Sequence, residues 1–391
     1  MRSVLLVVLL LAVPVQAAEP TAKAILAKTG TTGGVIVHAG CGRGKLTAQF
    51  AGPNTVVQGL DTDAGKVAEA RTVLRTKGYG RASAAVFDGR HLPYAENVVN
   101  LVVVSDAFDV ENAEILRVLV PGGTAYIREP NQWRKIVKPR PAEMDEWTHY
   151  LYDASNNAVS KDRLVGPPGG LQWVAAPKFS RSHEQLASVS GVVSAGGRLF
   201  SIEDHGPIES VAFPPKWRLV ARDAFNGITL WQREVGPWEW HLHLFRSGPF
   251  HLARRLVAVG ERVYVTLGLG RPVEMLDAAT GKTLKTFSGT EGADEFIHTG
   301  ELLLVYIGHS GPDRNPNERV KGAAKAVSAG RKKRRGSRPR EKPDGKERSL
   351  LAIDPGSGEV VWKNKVPAAI HLTLCAGNGR VVYQQGGRLS P

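Results

Sequence analysis

Apolar strand patterns alternate with helical patterns over the first third of the chain. The apolar run 35–39 ends in a glycine-rich turn, a second apolar run covers 56–61, and residues 64–77 carry apolar side chains at helical spacing. Further runs with strand or helix patterns are ASAAVFDG, VNLVVVSDAF and EILRVLVPGGTAYI. This alternation predicts a parallel, doubly wound α/β sheet in which the carboxyl ends of the strands face one ligand crevice.

The turn after the first strand has glycine at three alternate positions, Gly40, Gly42 and Gly44. Glycine permits a tight turn with positive φ and lets the backbone approach a ligand without a Cβ atom in the way. Asp61 ends the second strand about 20 residues downstream, where a ribose-binding carboxylate lies in nucleotide-binding folds. A glycine turn is also a common structural corner between a strand and a helix, so the motif alone leaves both interpretations open.

The region from Gly40–Gly44 through Asp61, Asp88 and the RVLVPGG turn resembles the class I S-adenosyl-L-methionine-dependent methyltransferases. The resemblance covers about residues 33–128 and implies S-adenosyl-L-methionine as the cofactor. It implies that the three glycines pack against the methionine moiety, that Asp61 holds the ribose hydroxyls and that Asp88 meets the adenine. The family has an acidic residue two positions before the first glycine, which helps to hold the ammonium group of the cofactor. His38 stands there in this chain.

The second part of the chain, from about residue 146, has a different pattern of short β-like runs separated by turn residues. Three related strings, LVARDAFNGITLWQREV, VEMLDAATGKTLKTF and LLAIDPGSGEVVWKNKV, each contain a strand, an Asp, a turn with Gly and a second strand. Between those hairpins lie further strands, each preceded by a glycine-containing turn, in VVSAGGRLFSIED, LVAVGERVYVTLG, IHTGELLLVYIG and LCAGNGRVVYQQG. Without a basic insertion, the repeats recur at about 42–54 residues, which is typical of propeller blades.

This repeat resembles the pyrroloquinoline-quinone-type (PQQ-type) β-propeller family over residues 146–391, and EWTHYLYDASNNAVSKD resembles the segment that opens such propellers. We expect the repeat Asp to fix the turn, the Gly to take positive φ and the Trp to pack between blades. The residues concerned are Asp223, Asp277 and Asp354; Gly227, Gly281 and Gly358; and Trp231 and Trp362.

The cysteines and histidines give little evidence of redox or metal chemistry. Quinoprotein dehydrogenases of the propeller family use paired adjacent cysteines, whereas this chain has only Cys41 and Cys375, so PQQ is not expected as a cofactor. Cys41 is expected to be a small packing residue rather than a nucleophile, because no base is placed beside it. His241 and His243 fall on one face of a strand pattern but lack a third ligand, so no metal site is predicted.

Most of the net charge of +14 lies in one segment. Between Arg314 and Arg348 there are 14 Lys or Arg and 4 Asp or Glu, with almost no apolar residues. This composition predicts a solvated, disordered insertion at 312–348, and an electrostatic contact with an anionic polymer or lipid is the alternative. No nucleic-acid-binding fold is recognisable, so specific nucleic-acid binding is not expected.

The first 17 residues combine a basic residue, a short apolar run and a small-residue site, which predicts a secretory signal sequence. An uncleaved membrane anchor is the alternative, although the apolar run is short for a span of about 20 residues. The sequence therefore predicts an exported protein, periplasmic or extracellular.

The sequence as a whole predicts a multidomain protein. A signal sequence (1–17) precedes a methyltransferase-like Rossmann domain (25–135), and an all-β, partial PQQ-like propeller of about four blades (146–391) follows. We expect an S-adenosyl-L-methionine-dependent methyltransferase whose propeller binds a substrate or a protein partner. A non-catalytic envelope scaffold with a degenerate Rossmann module is the alternative, and a quinoprotein oxidoreductase is the weaker one. No catalytic base can be named, because this family works mainly by placing the acceptor in line with the methyl group.

Overall fold

A computed structural model describes residues 20–77, 80–177, 181, 188–210, 213–239, 252–310, 346–385 and 388–390. The chain divides into two compact units. Met1–Thr31 with Val35–Lys138 form the first, and Thr32–Gly34 with Pro139–Pro391 form the second. The predicted signal sequence and residues 312–345 of the predicted insertion lie outside the described residues. Among the described residues, no helix is both long and apolar enough to cross a membrane.

The first unit is built on a six-stranded sheet with the strand order β3-β2-β1-β4-β5-β6. The strands are β1 (Gly34–Ala39), β2 (Thr55–Asp61), β3 (Ala82–Val86), β4 (Val99–Val104), β5 (Leu119–Arg128) and β6 (Trp133–Val137). The helices are α1 (Ala22–Thr29), α2 (Lys45–Gln49), α3 (Ala64–Lys77) and α4 (Asn112–Val118). β2 pairs in parallel with β3, and β4 pairs in parallel with β1 and β5, whereas β6 is antiparallel to β5. The predicted parallel, Rossmann-like sheet is confirmed.

The sheet of the first unit is covered on both faces. Val37 of β1 packs in a cluster with Ile115 of α4, whereas its neighbour Ile36 packs in another cluster with Ile25 of α1. Because successive residues of a strand point to opposite faces, β1 buries both of its faces and reads as a continuous apolar run. The carboxyl ends of the strands are left as the part of the sheet at which a ligand can bind.

The second unit contains three four-stranded sheets and one three-stranded sheet among the described residues. The first sheet has β7 (Val189–Ala195), β8 (Arg198–Asp204), β9 (Trp217–Asp223) and β10 (Thr229–Glu234). The second has β11 (Leu256–Val259), β12 (Arg262–Thr266), β13 (Val273–Asp277) and β14 (Thr283–Phe287). The third has β15 (Ala293–His298), β16 (Leu303–Ile307), β17 (Ser349–Ile353) and β18 (Val360–Lys365), and the fourth has β19 (Cys375–Gly377), β20 (Arg380–Gln385) and β21 (Arg388–Ser390). Neighbouring strands pair antiparallel, so the predicted hairpins are confirmed.

A short segment, residues 147–154, connects the four sheets of the second unit. It accepts a backbone hydrogen bond from the first strand of every sheet. The donors are backbone N–H groups, from Ser194 to Trp147 O (2.7 Å), from Ala258 to Thr148 O (2.9 Å), from His298 to His149 Nε2 (2.9 Å) and from Ala376 to Ala154 O (2.8 Å). The first strands β7, β11, β15 and β19 therefore all adjoin one stretch of chain.

Aromatic rings lie directly on glycines of the repeat turns. Gly227 and Gly281 have φ of 71° and 69°, and a Cβ atom on either would lie within 2.6 Å of the indole of Trp173 or Trp231, respectively. The indole of Trp231 also donates to Ala278 O at 2.9 Å. The predicted positive φ of these glycines is confirmed, and Trp231 of the first sheet packs on a turn of the second sheet. In the third turn Gly358 also has positive φ, 86°, but the aliphatic part of Lys285 replaces the tryptophan.

The repeat aspartates fix their turns through backbone hydrogen bonds, as predicted. Asp223 Oδ1 accepts from the N–H groups of Phe225 and Asn226, at 2.9 and 3.0 Å. Asp277 accepts from the N–H group of Thr280, and Asp354 accepts from the N–H group of Ser357. These carboxylates are structural in the turn.

We predict that Gly281→Ala destabilises the second unit by about 2–4 kcal/mol, because the added methyl group meets the indole of Trp231 and alanine resists positive φ. Gly270→Ala is the matched control, because Gly270 has φ of 75° and open space where its Cβ would lie. The control should cost only the backbone strain, about 1–2 kcal/mol. Urea unfolding of both variants measures the difference, and equal effects would contradict the ring-on-glycine contact.

Candidate functional site

The loops that follow β1, β2, β3 and β4 meet at one edge of the sheet. Gly40 N–H donates to Leu60 O at 2.8 Å, Ser105 N–H to Ala39 O at 2.9 Å, and Phe87 N–H to Asp61 O at 3.1 Å. The sequence-predicted residues lie on these loops. This edge is where parallel α/β sheets bind ligands.

Two positions of the turn, 40 and 44, require glycine both because φ is positive and because there is no space for a Cβ atom. All three glycines of the turn have positive φ: 82° at Gly40, 50° at Gly42 and 76° at Gly44. A Cβ atom on Gly40 would lie 2.8 Å from the Cβ of Asp106, and one on Gly44 would lie 3.0 Å from the Cα of Ala70. At Gly42, by contrast, a Cβ would have no neighbour within 4 Å. The middle of the turn is therefore the part of the backbone that a ligand can approach.

Asp61 is joined to this turn by its side chain. Its Oδ2 accepts from Gly42 N–H at 3.0 Å, and its Oδ1 accepts from Asp63 N–H at 3.1 Å. Lys66 Nζ lies 4.0 Å from Oδ1. The residue is only 2% exposed, yet a carboxylate has about four lone-pair positions, so each oxygen can accept a further hydrogen bond. A backbone donor, Gly42 N–H, and the carboxylate of Asp61 are thus adjacent at this end of the sheet.

His38 is buried, 2% exposed, and both of its ring nitrogens are occupied. Nδ1 lies 2.8 Å from Thr47 Oγ1, and Nε2 lies 2.8 Å from Ser105 Oγ. Burial lowers the pKa of His38 from 6.5 to about 4, although the charge of Asp61 opposes this shift. The imidazole is therefore neutral at pH 7, and it holds β1 to α2 and to the end of β4. Its nitrogens do not take the ligand-facing role of the acid that the resemblance implies at this position.

Asp88 follows β3 and is half exposed. Its Oδ1 accepts from the N–H groups of Arg90 and His91, at 2.8 and 2.7 Å, and its Oδ2 lies 2.6 Å from His91 Nδ1. These hydrogen bonds, led by the one from the His91 backbone, hold the pKa of Asp88 well below its usual range. The hydrogen bond that the His91 imidazole donates to the Asp88 carboxylate in turn raises the pKa of His91. The structure brings Asp61 and the three glycines together, whereas Asp88 is engaged with its own turn.

Sequence reasoning missed the residues of the loop after β4. Ser105 contacts His38, and both Asp106 and Phe108 lie against the glycine turn at Gly40. The run VVVSDAF indicated a strand end, but no glycine motif or periodicity shows which loop residue will lie on a neighbouring loop. Only the spatial adjacency of β1 and β4 reveals these contacts.

A surface groove of about 510 Å³ lies beside His91, within the size range of ligand sites. Four of its charged side chains form two ion pairs with each other. Arg90 bonds Asp109 at 3.1 Å, and Arg117 bonds Glu114 at 2.7 Å. The groove therefore offers a polar surface without a strong preference for one sign of charge.

The other candidate side chains have structural surroundings or fall outside the described residues. Cys41 is buried against Gly59, and burial raises the pKa of its thiol to about 11, which fits the predicted packing role. His241 and His243 lie outside the described residues. Within the described residues, no cluster of three or more His, Cys, Asp or Glu side chains could hold a metal ion.

The burial of His38 predicts a pH dependence of stability. Its folded pKa of about 4 lies below the unfolded value of 6.5, so the stabilisation is fully present above pH 6.5 and is lost as the pH falls towards 4. The shift corresponds to about 3 kcal/mol. His38→Gln, which keeps one donor and one acceptor but does not titrate, should remove this fall.

Hydrogen exchange of the β1 amides at several pH values, corrected for the intrinsic exchange rate, measures the stability of the first unit. The exposed His91 supplies the control, because His91→Gln should keep the fall that His38 causes. An unchanged pH dependence in His38→Gln would show that another group is responsible.

Comparison with known proteins gives one family match. Residues 36–123 match a sequence family described as a methyltransferase domain. No curated protein matches the chain.

Solved structures are similar to the same part of the chain. A protein of Methanococcus maripaludis, described as a candidate S-adenosyl-L-methionine-dependent methyltransferase, is 25% identical over 27% of this chain and 52% of its own, with a TM-score of 0.25. Geranyl diphosphate C-methyltransferase of Streptomyces coelicolor A3(2), solved with Mg2+, geranyl diphosphate and S-adenosyl-L-homocysteine, is 19% identical over 27% of this chain and 43% of its own, with a TM-score of 0.25. The chain spans about half the length of the solved structures that it matches. By its match over residues 36–123, the first unit carries a methyltransferase domain.

Proposed function

We propose that the first unit binds S-adenosyl-L-methionine at the carboxyl ends of β1, β2 and β3 and transfers its methyl group to an acceptor. The observation that carries the proposal is the hydrogen bond from Gly42 N–H to the Asp61 carboxylate. It joins the glycine turn to the acidic end of β2 within the 36–123 match to methyltransferase domains.

The residues fit this cofactor in shape and in hydrogen-bonding capacity. Gly42 leaves open space above the turn, so the methionine part can lie against bare backbone. Asp61 keeps free lone-pair positions, and its carboxylate can accept from the two ribose hydroxyls. Asp88 lies beyond β3, beside the end of β2, where its turn can border the adenine.

When bound, the cofactor supplies an electrophilic methyl group on a sulfonium centre. The residues of this chain bind and orient it: the glycine turn limits its position on one side, and Asp61 fixes the ribose. The neutral His38 holds Ser105 and Thr47 in place behind the turn. We assign no general base, because placement of an acceptor in line with the methyl group supplies much of the rate enhancement in such a reaction.

For the second unit we propose a PQQ-like propeller that presents a substrate or a protein partner and carries no quinone. The shared segment 147–154 and the sequential docking of tryptophan on the next glycine turn support a radial arrangement of the sheets. Export, as the first 17 residues suggest, belongs to the same proposal, and mass analysis of the secreted protein's N-terminus tests it.

Calorimetric titration of the full chain with S-adenosyl-L-homocysteine tests the cofactor site. We expect the wild type to bind and Asp61→Asn to bind at least about tenfold more weakly, because the amide loses charge-assisted hydrogen bonds worth about 1.5–3 kcal/mol. Asp63→Asn is the matched control. Asp63 is exposed, and its carboxylate caps α3 by accepting from Gly65 N–H at 2.7 Å. The affinity of the Asp63→Asn variant for S-adenosyl-L-homocysteine should therefore stay within about threefold of the wild type.

Absence of binding at millimolar ligand in the folded wild type would reject the cofactor site. The first unit would then be a degenerate module in a scaffold protein. Equal weakening in Asp61→Asn and Asp63→Asn would indicate a general effect of charge rather than a ribose contact.

A further inference from the structure

The ring of Phe108 lies between the loops that follow β1 and β3. A Cβ atom on Gly40 would be 3.4 Å from Phe108 Cε2, and a Cβ atom on Gly89 would be 3.8 Å from Phe108 Cδ1. Gly40 and Gly89 share a φ of 82° and have no side chains, so the ring rests on bare backbone at both. Phe108 also meets Phe87 edge to face, with ring centroids 5.1 Å apart.

An ion pair beside the ring connects the loop that follows β3 with the loop that follows β4, which carries Phe108. Arg90, next to Gly89, bonds Asp109, next to Phe108, at 3.1 Å. Both side chains are largely exposed, so the pair is weak and sensitive to salt. The pair can hold the two loops together, yet it breaks readily when the loops move apart.

The surroundings of Asp61, at the end of β2, are closed to a ligand as well. Asp61 is only 2% exposed although its carboxylate retains acceptor capacity. The next residue, Thr62, packs through its Cγ2 3.1 Å from the position of a Cβ on Gly89. A nucleoside therefore cannot reach Asp61 unless the neighbouring groups move.

The segment that carries Phe108 is suited to such a movement. Residues 105–111 have no helix or strand between β4 and α4. Ser105 is fixed by its bonds to Ala39 O and His38, whereas Phe108 is half-buried and held mainly by ring contacts. Apolar contacts of this kind are non-directional and can be exchanged for contacts with a ligand.

We propose that Phe108 is a gate for the nucleoside part of the site, closed by its contact with Phe87 and by the Arg90–Asp109 pair. The proposal rests on the proposed cofactor site and adds its regulation. Ligand binding requires the ring to leave the space between Gly40 and Gly89. The apparent affinity is then the intrinsic affinity reduced by the fraction of molecules in the open state.

Phe108→Ala tests the gate, because it removes the ring and leaves the crevice open. Titration of the full-length variant with S-adenosyl-L-homocysteine should give about fivefold to tenfold tighter binding than the wild type, with faster association in a stopped-flow competition assay. Asp109→Asn keeps the ring and removes only the ion pair. It should tighten binding by about twofold at low salt and by less at high salt.

The outcomes separate the gate from the cofactor site. If the wild type binds and Phe108→Ala binds equally or more weakly, the ring is a wall of the site and the gate is rejected, while the cofactor site stands. If only Phe108→Ala binds, the ring blocks the site permanently instead of gating it, and both the gate and a working cofactor site in the wild type are rejected. If no variant binds, the cofactor site is rejected and the gate with it. Should Phe108→Ala fail to fold, an unchanged affinity of Asp109→Asn at low salt would still contradict the closure.

Discussion

Close packing on bare glycine backbone is the constraint on which both units depend. In the first unit Asp106 lies on Gly40, and in the second the indole of Trp231 lies on Gly281. Each contact places an atom where any other residue would have its Cβ, at a φ that other residues resist. Glycine is thus required for two reasons: the turn needs a positive φ, and the packed side chain occupies the space of a Cβ atom. These contacts set how closely the loops and the sheets approach one another.

The first unit uses its interior polar groups to fix the loops around the proposed site. A neutral, buried His38 bonds two hydroxyl groups, and the buried Asp61 bonds two backbone N–H groups. Each buried polar atom is satisfied, so the cost of its desolvation is offset. The second unit buries full ion pairs, such as Arg181 with Asp204 and Arg255 with Asp294. Loss of one partner from such a pair costs about 3–5 kcal/mol, because it leaves a buried charge.

The sequence predicted the parts of the fold that local chemistry determines. The hairpins of the second unit followed from Asp and Gly in the turns, and helix 64–77 followed from apolar spacing. The burial of His38 could not be predicted, because β1 buries both faces and shows no alternation that would mark a side. Trp173 was missed because it precedes the strands of the sheet on which it packs.

The candidate site was predicted in part for the same reason. Glycines and strand-end acids have recognisable spacing, so Gly42 and Asp61 could be named before their contact was seen. The role of Phe108 depends on three loops that are distant in sequence and adjacent only because β1 lies between β2 and β4. Contacts of this kind arise from topology, and a single sequence carries no local sign of them.

The segment 147–154 has a consequence for biosynthesis. It is translated before all four sheets that it joins, and its partners Ser194, Ala258, His298 and Ala376 emerge one after another. Until the last of them leaves the ribosome, part of this backbone has no sheet to bond. Contacts so distant in sequence form slowly and leave unpaired edges exposed meanwhile. The second unit therefore completes its native hydrogen bonds late. Until Ala376 has emerged, the unpaired backbone favours aggregation or binding to a chaperone.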